Sequence, residues 1–301
     1  MMNLQELCRR LRQRFPSLLL LEAEPMAKHT SFQIGGCAAM AFPDSVQELA
    51  ELYRFCLQVQ HPPLILGAGS NVLAPDEGLD HLVICTKQVN RITLADDTTI
   101  VAECGATMTR LAVFARDLGL TGLEFAHGIP GTVGGGTYMN AGAYGGEIRQ
   151  VAVRTTAVLP DGTLWEAEGE AQDFSYRHSA FEENGSLILE TVFSLRKGEP
   201  AVIGETMKEL AQKRRNSQPL EWPSAGSTFK RPVGGYAAAL IDQAGLKGKG
   251  VGDAVVSEKH AGFVINRGNA TAADVLAAME LIRQVVYDRS GILLEPEVRI
   301  W

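Results

Sequence analysis

Two glycine-rich segments carry residue types suited to holding a phosphate-bearing ligand. Gly67-Ala68-Gly69-Ser70-Asn71 directly follows the apolar run Leu64–Leu66, and a longer segment runs from Gly128 to Gly146. Glycine lets backbone N–H groups approach a phosphate, because no Cβ stands in the way. Val72 occupies the place of the third glycine in G-x-G-x-x-G, so a Rossmann-type nucleotide site is not predicted. Taken alone, the first segment is equally compatible with a plain turn.

The longer glycine segment is the more informative one. It reads Gly128-Ile129-Pro130-Gly131-Thr132-Val133-Gly134-Gly135-Gly136, then Met139-Asn140-Ala141-Gly142-Ala143-Tyr144-Gly145-Gly146. So dense a run costs chain entropy, up to roughly 1 kcal/mol per glycine relative to alanine in regular structure. We therefore interpret it as a loop that lies against a flat or phosphorylated ligand. The two segments are more than fifty residues apart, which suits a long ligand such as a dinucleotide.

Three polar residues outside these segments could take part in a reaction. Arg177 stands among aromatic residues, where its guanidinium could bind a carboxylate or simply stack on Tyr176. Ser227 has small neighbours and could donate a proton or a hydrogen bond, or mark a turn. Glu297 lies in the last apolar stretch, either at the mouth of a site or on an exposed edge.

Other kinds of site have no support in the sequence. No G-x-S-x-G surrounds Ser70 or Ser227, so a hydrolase has no motif. The six histidines show no H-E-x-x-H or paired spacing, and no metal site is predicted. The five cysteines form no C-x-x-C pair, so we expect reduced, mostly buried thiols. No signal peptide precedes the short aliphatic run Leu18–Leu21, so a cytoplasmic location is expected.

Apolar periodicity predicts the elements that must position these groups. Ser45 with Glu48, and Thr271 with Asp274, fit capping boxes at two helix starts. The 301 residues, 46% of them apolar and 21% charged, fit two globular α/β pieces, the larger first. The expected helices lie at 4–15, from 45, at 108–118, at 200–216, near 237 and from 272, and the expected strands at 64–66, 82–85, 99–104, 151–159, 187–195, 263–265 and 297–301.

The charge distribution is uneven. A net charge of −7 argues against nucleic acid or an anionic membrane as a general partner. Residues 208–260 nevertheless hold nine Lys/Arg against five Asp/Glu. A basic stretch in an acidic protein fits a small anionic ligand, or is simply a solvated basic face.

Taken in order, these segments resemble the UDP-N-acetylenolpyruvoylglucosamine reductase (MurB) family, flavoenzymes that make UDP-N-acetylmuramate for peptidoglycan. The resemblance covers nearly the whole chain, and the ordered set of motifs makes it specific. Its motifs are His29-Thr30-Ser31-Phe32-Gln33-Ile34-Gly35-Gly36, Leu66–Asn71, Gly128–Gly146, Tyr176-Arg177-His178-Ser179, Ala225-Gly226-Ser227, Ala244–Gly248, Val256–Ala261 and Leu294–Val298.

The resemblance implies an α+β protein with an FAD-binding region of the p-cresol methylhydroxylase (vanillyl-alcohol oxidase) type. That region would span residues 1–200 as two α/β subdomains, about 1–90 and 91–200, and a substrate-binding α/β domain would span 201–301. FAD would be held non-covalently, with its diphosphate between the two glycine segments. The residues implied in FAD binding are Leu66, Gly67, Ala68, Gly69, Ser70, Asn71, Pro130, Gly131, Thr132, Gly134, Gly135, Asn140, Ala141 and Gly142.

The same resemblance implies a reaction. NADPH would reduce the flavin at N5, and UDP-N-acetylglucosamine enolpyruvate would then take the hydride at its β-carbon. Ser227 is implied as the proton donor to the α-carbon, while Arg177 and Glu297 would polarise the substrate carboxylate and stabilise the enol-like intermediate. The residues implied near the UDP diphosphate are Arg214, Lys247, Lys259 and His260.

Two features depart from the family pattern. Only fifty positions separate Arg177 from Ser227, which leaves no room for the inserted loop whose tyrosine closes the long form of the family. The chain thus resembles the short form. Lys230-Arg231 stands where relatives often have Asn after the basic residue, so one sugar-nucleotide contact is expected to differ. Two alternatives stay open: a flavin-dependent oxidase of the same fold, and a nucleotide-binding module without catalysis. No obligatory protein partner is expected.

Overall fold

The structure is a computed structural model that describes residues 3–301. The α-helices are α1 Leu4–Arg14, α2 Val46–Gln58, α3 Met108–Asp117, α4 Val133–Tyr138, α5 Ala180–Asn184, α6 Pro200–Ser217, α7 Ala237–Gln243 and α8 Ala272–Ser290. The strands are β1 Leu19–Pro25, β2 Cys37–Phe42, β3 Leu64–Leu66, β4 Val72–Leu73, β5 Leu82–Cys85, β6 Ile92–Leu94, β7 Thr99–Glu103, β8 Leu120–Thr121, β9 Gly142–Ala143, β10 Gly146–Glu147, β11 Ala152–Val158, β12 Leu164–Glu168, β13 Leu187–Ser194, β14 Arg196–Lys197, β15 Gly250–Val251, β16 Ala254–Val256, β17 Val264–Asn266 and β18 Arg299–Ile300. Among residues 3–301, no helix is both long enough and apolar enough to cross a bilayer.

Local capping explains where two predicted helices begin. At α8 the capping box is complete, because Asp274 N–H donates to Thr271 Oγ1 and Thr271 N–H donates to Asp274 Oδ2, both at 3.0 Å. At α2 the Ser45 hydroxyl accepts from Glu48 N–H at 3.3 Å, as expected. The Glu48 carboxylate, however, accepts from Asp44 N–H at 3.1 Å, so the reciprocal half of that box lies one residue earlier than predicted.

The chain divides into two compact units, each built from several segments. The first comprises residues up to Glu22, Ala39–Ala68 and Asp80–Lys213, and the second comprises Ala23–Ala38, Gly69–Leu79 and Arg214–Trp301. The assignment of cofactor binding to 1–200 and substrate binding to 201–301 stays a prediction.

The first unit contains two larger sheets beside the two-stranded pairs β9–β10 and β8–β14. In one, β2 and β3 both run parallel to β5, with α2 as the connection between β2 and β3, and the strand order is β1-β2-β5-β3. In the other, five antiparallel strands lie in the order β12-β11-β13-β7-β6. Fully buried residues such as Leu49 and Ile84 form one core, and Ile100 and Phe193 belong to a second.

The second unit has its own apolar core. The antiparallel strands β15, β16 and β17 pack with α8, and Val264, Val275 and Ile282 are almost completely buried there. A parallel pair, β4 with β18, joins the segment after Asn71 to the end of the chain. The strands β15 and β16 were not predicted, because two or three residues are too few to show a period. The expected strand at 297–301 is reduced to β18.

One expectation about local structure is wrong. The segment Gly128–Gly146 was expected to be loop, and it contains the helix α4. Thr132 caps this helix through its hydroxyl, which accepts from Gly135 N–H at 3.4 Å. The glycines let α4 pack closely, since a Cβ at Gly134 would lie 2.8 Å from Cys104 Cβ and one at Gly136 would lie 2.9 Å from Met108 Sδ. Close packing outweighs the low helix propensity of glycine here.

Candidate active site

The two glycine segments meet inside the first unit. The strand β3 ends at Leu66, and at Gly67 a Cβ would collide with the Thr132 hydroxyl, which is itself almost completely buried. Only glycine therefore fits at position 67. The structure brings together the beginning of the first predicted motif, Gly67-Ala68, and the start of α4 in the second.

The junction of Gly67-Ala68 with the start of α4 is called the cradle below. Hydrogen bonds within the protein determine which of its backbone groups can face a ligand. Val133 N–H donates to Ala106 O at 2.7 Å, and Gly134 N–H donates to Cys104 O at 2.8 Å. These two amides are thus unavailable to a ligand. Gly135 is exposed, and a Cβ there would meet only Thr132 Oγ1 at 3.6 Å. Burial, with a smaller contribution from Glu103, raises the pKa of the Cys104 thiol to about 12, so it adds no negative charge beside the cradle.

The cradle consists of Gly67, Ala68, Thr132 and Gly135, and its part in binding FAD stays a prediction. The missing Cβ of Gly67 lets the Thr132 hydroxyl pack against the end of β3, so the two segments lie close together. Leu66 and Val133 are buried beside the cradle. Gly134 is also expected to bind the cofactor, but its N–H is already bonded and its missing side chain faces Cys104.

Asn140 joins the glycine segment to the turn that carries Arg177. Its side chain is 2% exposed, and its amide donates to Ser175 O at 2.8 Å and to the Glu147 carboxylate at 3.0 Å. Its Oδ1 accepts from Arg149 N–H at 3.0 Å. Three hydrogen bonds with the protein occupy this side chain, so the structure gives Asn140 a clear structural task beside its predicted place at the cofactor. Ala141 is buried and Gly142 half-buried directly after it.

Arg177 sits in a tight turn within the first unit. Ser175 and His178 exchange two backbone hydrogen bonds of 3.2 and 3.3 Å, and Arg177 between them has φ +55°. Its guanidinium lies 5.6 Å from the centre of the exposed Tyr176 ring. The stacking that the sequence allowed is therefore present, and it holds a half-buried arginine in place.

The side chains of His178, at the end of this turn, and of Ser179, directly after it, attach the turn to the rest of the first unit. Ser179 is completely buried, its hydroxyl donates to Tyr138 O at 2.6 Å, and it also accepts from Glu182 N–H as the cap of α5. His178 lies 3.3 Å from the exposed Asp173 carboxylate and 3.5 Å from that of Glu182. A left-handed φ at a residue other than glycine needs such surrounding contacts to persist.

Ser227 and Glu297 are brought together in the second unit. The segment after Ser227 pairs with the segment around Glu297: Glu297 N–H donates to Thr228 O at 2.8 Å, and Lys230 N–H donates to Glu295 O at 2.9 Å. Both side chains are half-buried. Glu297 precedes β18 and belongs to this bridged segment. Its place at the mouth of a site stays a prediction.

The end of the first motif, Gly69-Ser70-Asn71, also belongs to the second unit. Asn71 Nδ2 donates to Glu297 O at 3.0 Å, and Arg299 N–H donates to Asn71 O at 3.0 Å. The loop predicted to bind the cofactor is thereby bonded to the backbone of a predicted catalytic residue. A residue given no role in the sequence analysis, Ser31, bonds to the same loop. Ser31 lies in the motif His29–Gly36, but its contact with Ser224 could not be predicted because the two residues are 193 positions apart.

The basic residues expected near the diphosphate lie in the second unit, and several have partners there. Lys247 forms an ion pair of 2.9 Å with Asp242. Lys259 donates to Arg215 O at 2.7 Å and lies 3.9 Å from Glu221. Arg214 is half-buried in the last turn of α6.

His260 is held as a neutral imidazole. Its Nδ1 accepts from Gly262 N–H at 3.1 Å, and its ring makes an edge contact of 4.9 Å with Phe263. Burial lowers the pKa of His260, and the charge of Lys247 lowers it further. With Nδ1 accepting, the proton resides on Nε2, which can donate a hydrogen bond to an anionic ligand.

Two family models match the chain. Residues 218–301 match the UDP-N-acetylenolpyruvoylglucosamine reductase C-terminal domain, and residues 37–168 match an FAD binding domain. The UDP-N-acetylenolpyruvoylglucosamine reductase of Latilactobacillus sakei is 45% identical over 92% of this chain and 91% of its own. The enzyme of the same name from Agathobacter rectalis is 44% identical over 96% of both chains.

A solved structure gives the same assignment. The crystal structure of UDP-N-acetylenolpyruvylglucosamine reductase from Thermus caldophilus superposes with a TM-score of 0.79 and 32% identity, covering 94% of this chain and 99% of that one. An alkyldihydroxyacetonephosphate synthase shares the fold alone, with a TM-score of 0.50 and 19% identity over 65% of this chain and 41% of that one. The predicted fold, with its FAD-binding region of the vanillyl-alcohol oxidase type, is confirmed. The chain belongs to the UDP-N-acetylenolpyruvoylglucosamine reductase family.

Proposed function

We propose that this protein is an NADPH-dependent flavoenzyme that reduces UDP-N-acetylglucosamine enolpyruvate to UDP-N-acetylmuramate, a step of peptidoglycan synthesis. The observation that supports the proposal best is the pairing of the segment after Ser227 with the segment around Glu297, because a hydroxyl donor and a carboxylate then stand on two hydrogen-bonded segments. Relatives over more than nine-tenths of the chain bear the corresponding reductase name.

FAD, when bound, accepts a hydride from NADPH and delivers it to the β-carbon of the enolpyruvyl group. The protein's task is to hold the reactants and to manage charge and protons. Gly67, Ala68, Gly131, Thr132 and Gly135 hold the diphosphate in this proposal, with Gly135 as the exposed member of the set.

The charge stabilisation and the proton transfer of the reaction are assigned to Arg177, Ser227 and Glu297. Negative charge builds on the substrate carboxylate as the β-carbon gains hydride, and the fixed guanidinium of Arg177 stabilises it. Glu297 polarises the same group. Ser227 donates its proton to the α-carbon and regains one from solvent. A hydroxyl is a weak acid, so this transfer needs a strongly basic carbanion and little water, and Ser227 is half-buried.

The basic residues of the second unit bind the nucleotide part of the substrate. Arg214, Lys247 and Lys259 supply positive charge for the UDP diphosphate, and neutral His260 supplies a donor at Nε2. The substrates are small molecules of the cytoplasm, which is where we place the enzyme. No protein partner is required by this reaction.

The test begins with the purified protein and its flavin content. Incubation with NADPH and UDP-N-acetylglucosamine enolpyruvate should consume both in a one-to-one ratio and yield UDP-N-acetylmuramate by mass spectrometry. A protein that holds FAD and consumes NADPH only in the presence of O₂ would be the oxidase alternative. A protein that binds the UDP-sugar without any turnover would be the binding module.

A further inference from the structure

The segment His29–Gly36 contributes to the family resemblance, yet the proposed reaction gives it no task. Its Ser31 lies between two functional loops of the second unit. Ser31 N–H donates to Gly69 O at 3.0 Å, and Ser31 O accepts from Ser224 N–H at 3.1 Å. Through its backbone alone, Ser31 bridges the loop Gly69–Asn71 and the loop that leads to Ser227.

The hydroxyl of Ser31 adds a directed bond to this bridge. Oγ lies 2.6 Å from Ser224 O and 3.3 Å from Gly69 O. A hydroxyl has one proton to donate, and the shorter distance places it on Ser224 O. Ser31 thus forms hydrogen bonds with both the N–H and the C=O of Ser224, which fixes the orientation of the chain at the start of the loop.

The far end of that loop is fixed equally firmly. Thr228 is buried, its N–H donates to Gly262 O at 2.8 Å, and its hydroxyl accepts from Val264 N–H at 3.0 Å. Gly226, with φ +76°, lies between the two anchors and makes the bend. Ser227 therefore stands on a short span whose ends are held by Ser31 and by β17, and the place of its hydroxyl depends on both.

The other side of Ser31 is packed just as closely. A Cβ at Gly69 would overlap the His29 carbonyl, so the Gly69 loop and the segment around Ser31 are in direct contact. A shift at Ser31 would change the separation between the loop predicted to hold the cofactor and the loop that carries the proton donor.

We propose that Ser31 is a positioning residue, which sets the Ser227 hydroxyl relative to the Gly69–Asn71 loop for protonation of the substrate α-carbon. This inference rests on the proposed function. In the step concerned, the β-carbon has received the hydride, the O–H bond of Ser227 breaks, a C–H bond forms at the α-carbon, and water returns a proton to Ser227. Ser31 makes no contact with the reacting atoms through this role.

The test compares Ser31→Ala, Ser31→Thr and a matched control, Ser290→Ala. The Ser290 hydroxyl donates to Val286 O at 2.7 Å and accepts from Ile292 N–H at 3.2 Å, so its loss also removes a bond from a hydroxyl to a backbone carbonyl, elsewhere in the same unit. In anaerobic rapid mixing, Ser31→Ala should be reduced by NADPH at nearly the wild-type rate. Its reoxidation by the enolpyruvyl substrate should slow by about 10-fold to 10²-fold, the scale of a small misplacement.

Two further readouts separate positioning from a general structural effect. The solvent deuterium isotope effect on reoxidation should rise in Ser31→Ala and return toward the wild-type value in Ser31→Thr, which keeps the hydroxyl. In the protein without substrates, amide exchange should be faster in the peptide 222–230 of Ser31→Ala than in the wild type or Ser290→Ala. Ser31→Cys, similar in size but a weak donor, repeats the test if Ser31→Ala does not fold.

The proposal is overturned if reoxidation and its isotope effect are unchanged in Ser31→Ala, or if both half-reactions slow equally. A wild-type protein that does not turn over would instead contradict the proposed function. In that case the exchange comparison still decides whether the Ser31 hydroxyl holds the Ser224–Thr228 span.

Discussion

At the scale of single residues, the proposed catalytic arginine depends on its surroundings. Arg177 adopts a left-handed backbone conformation that costs on the order of 1 kcal/mol or more, and a glycine would adopt it more easily. Asn140 donates to Ser175 O in the turn, Ser179 directly after the turn donates to Tyr138 O, and Tyr176 lies under the guanidinium. The sequence allows two interpretations of Arg177, stacking on Tyr176 and binding a carboxylate. The two are compatible, because a stacked guanidinium can still bind a carboxylate.

The surroundings of His260 lead to a prediction of how the free energy of unfolding depends on pH. Burial lowers its pKa in the folded protein, so between that pKa and the ordinary value of about 6.5 the unfolded chain binds more protons than the folded one. The contribution of His260 to stability is thus fully present above about pH 6.5 and is lost as the pH falls through the folded pKa. We expect the free energy of unfolding of His260→Gln to decline less than that of the wild type between about pH 7.5 and 5.

Urea denaturation at a series of pH values measures this difference. His81→Gln, which removes an exposed histidine, is the control and should follow the wild-type profile. Parallel profiles for His260→Gln and the wild type would show that His260 is not held neutral by its surroundings.

At the scale of elements, the junction of β3 and α4 predicts a specific sensitivity. In Gly67→Ala the new Cβ must displace the Thr132 hydroxyl, which caps α4. Because the cradle of both loops would open, we expect FAD affinity to fall by at least about tenfold, with a loss of roughly 1 kcal/mol of stability from the cap. Fluorescence titration of the apoprotein with FAD measures the affinity.

Gly204→Ala provides the matched control for this substitution. Gly204 lies in α6, where a Cβ would make an ordinary contact of 3.5 Å with the Arg116 side chain. Its FAD affinity should equal that of the wild type, and its stability should rise slightly because alanine favours the helix. Equal FAD affinity in Gly67→Ala and Gly204→Ala would contradict the assignment of the cradle.

The start of α8 depends on an acid from a distant part of the sequence. The carboxylate of Asp76 accepts from Ala272 N–H at 2.8 Å and from Ala273 N–H at 3.1 Å. Asp76→Ala should lower the free energy of unfolding by about 0.5–2 kcal/mol, measured by denaturant titration. As a control, Glu77→Ala removes a negative charge from the adjacent residue, which does not make these two bonds, and should change the free energy of unfolding little. An equal loss of stability in both variants would argue against capping by Asp76.

Helices with local signals could be predicted from the sequence, whereas contacts between distant segments could not. The apolar spacing of Leu7 and Leu11 predicts α1, and Thr271 with Asp274 predicts the start of α8, because each signal lies within a few residues. The helix α4 was missed, because its stability comes from packing on Cys104 and Met108 rather than from its own residues. In the candidate site, the resemblance predicts single functional residues. The bond of Ser31 to Ser224, like that of Asp76 to the start of α8, depends on pairings across the fold and could not be predicted.

At the scale of the whole molecule, the two compact units do not coincide with the order of the sequence. The second unit takes Ala23–Ala38 and Gly69–Leu79 from the first part of the chain and joins them to Arg214–Trp301. The motif Gly67–Asn71 is consequently divided, with Gly67 and Ala68 in the first unit and the rest in the second. Ser227, Glu297 and Asn71 thereby share one unit, an arrangement that no boundary near residue 200 would suggest.

The central claim is that Ser227 supplies the proton in a reductase whose flavin is first reduced by NADPH, and one anaerobic experiment tests it most directly. Flavin absorbance is followed in the wild type and in Ser227→Ala, first on adding NADPH and then on adding UDP-N-acetylglucosamine enolpyruvate. Both proteins should bleach at similar rates. The wild type should then recover its absorbance, while Ser227→Ala should recover more slowly by a factor on the order of 10²–10³. Recovery at the wild-type rate in Ser227→Ala, or no recovery in the wild type, would contradict the account.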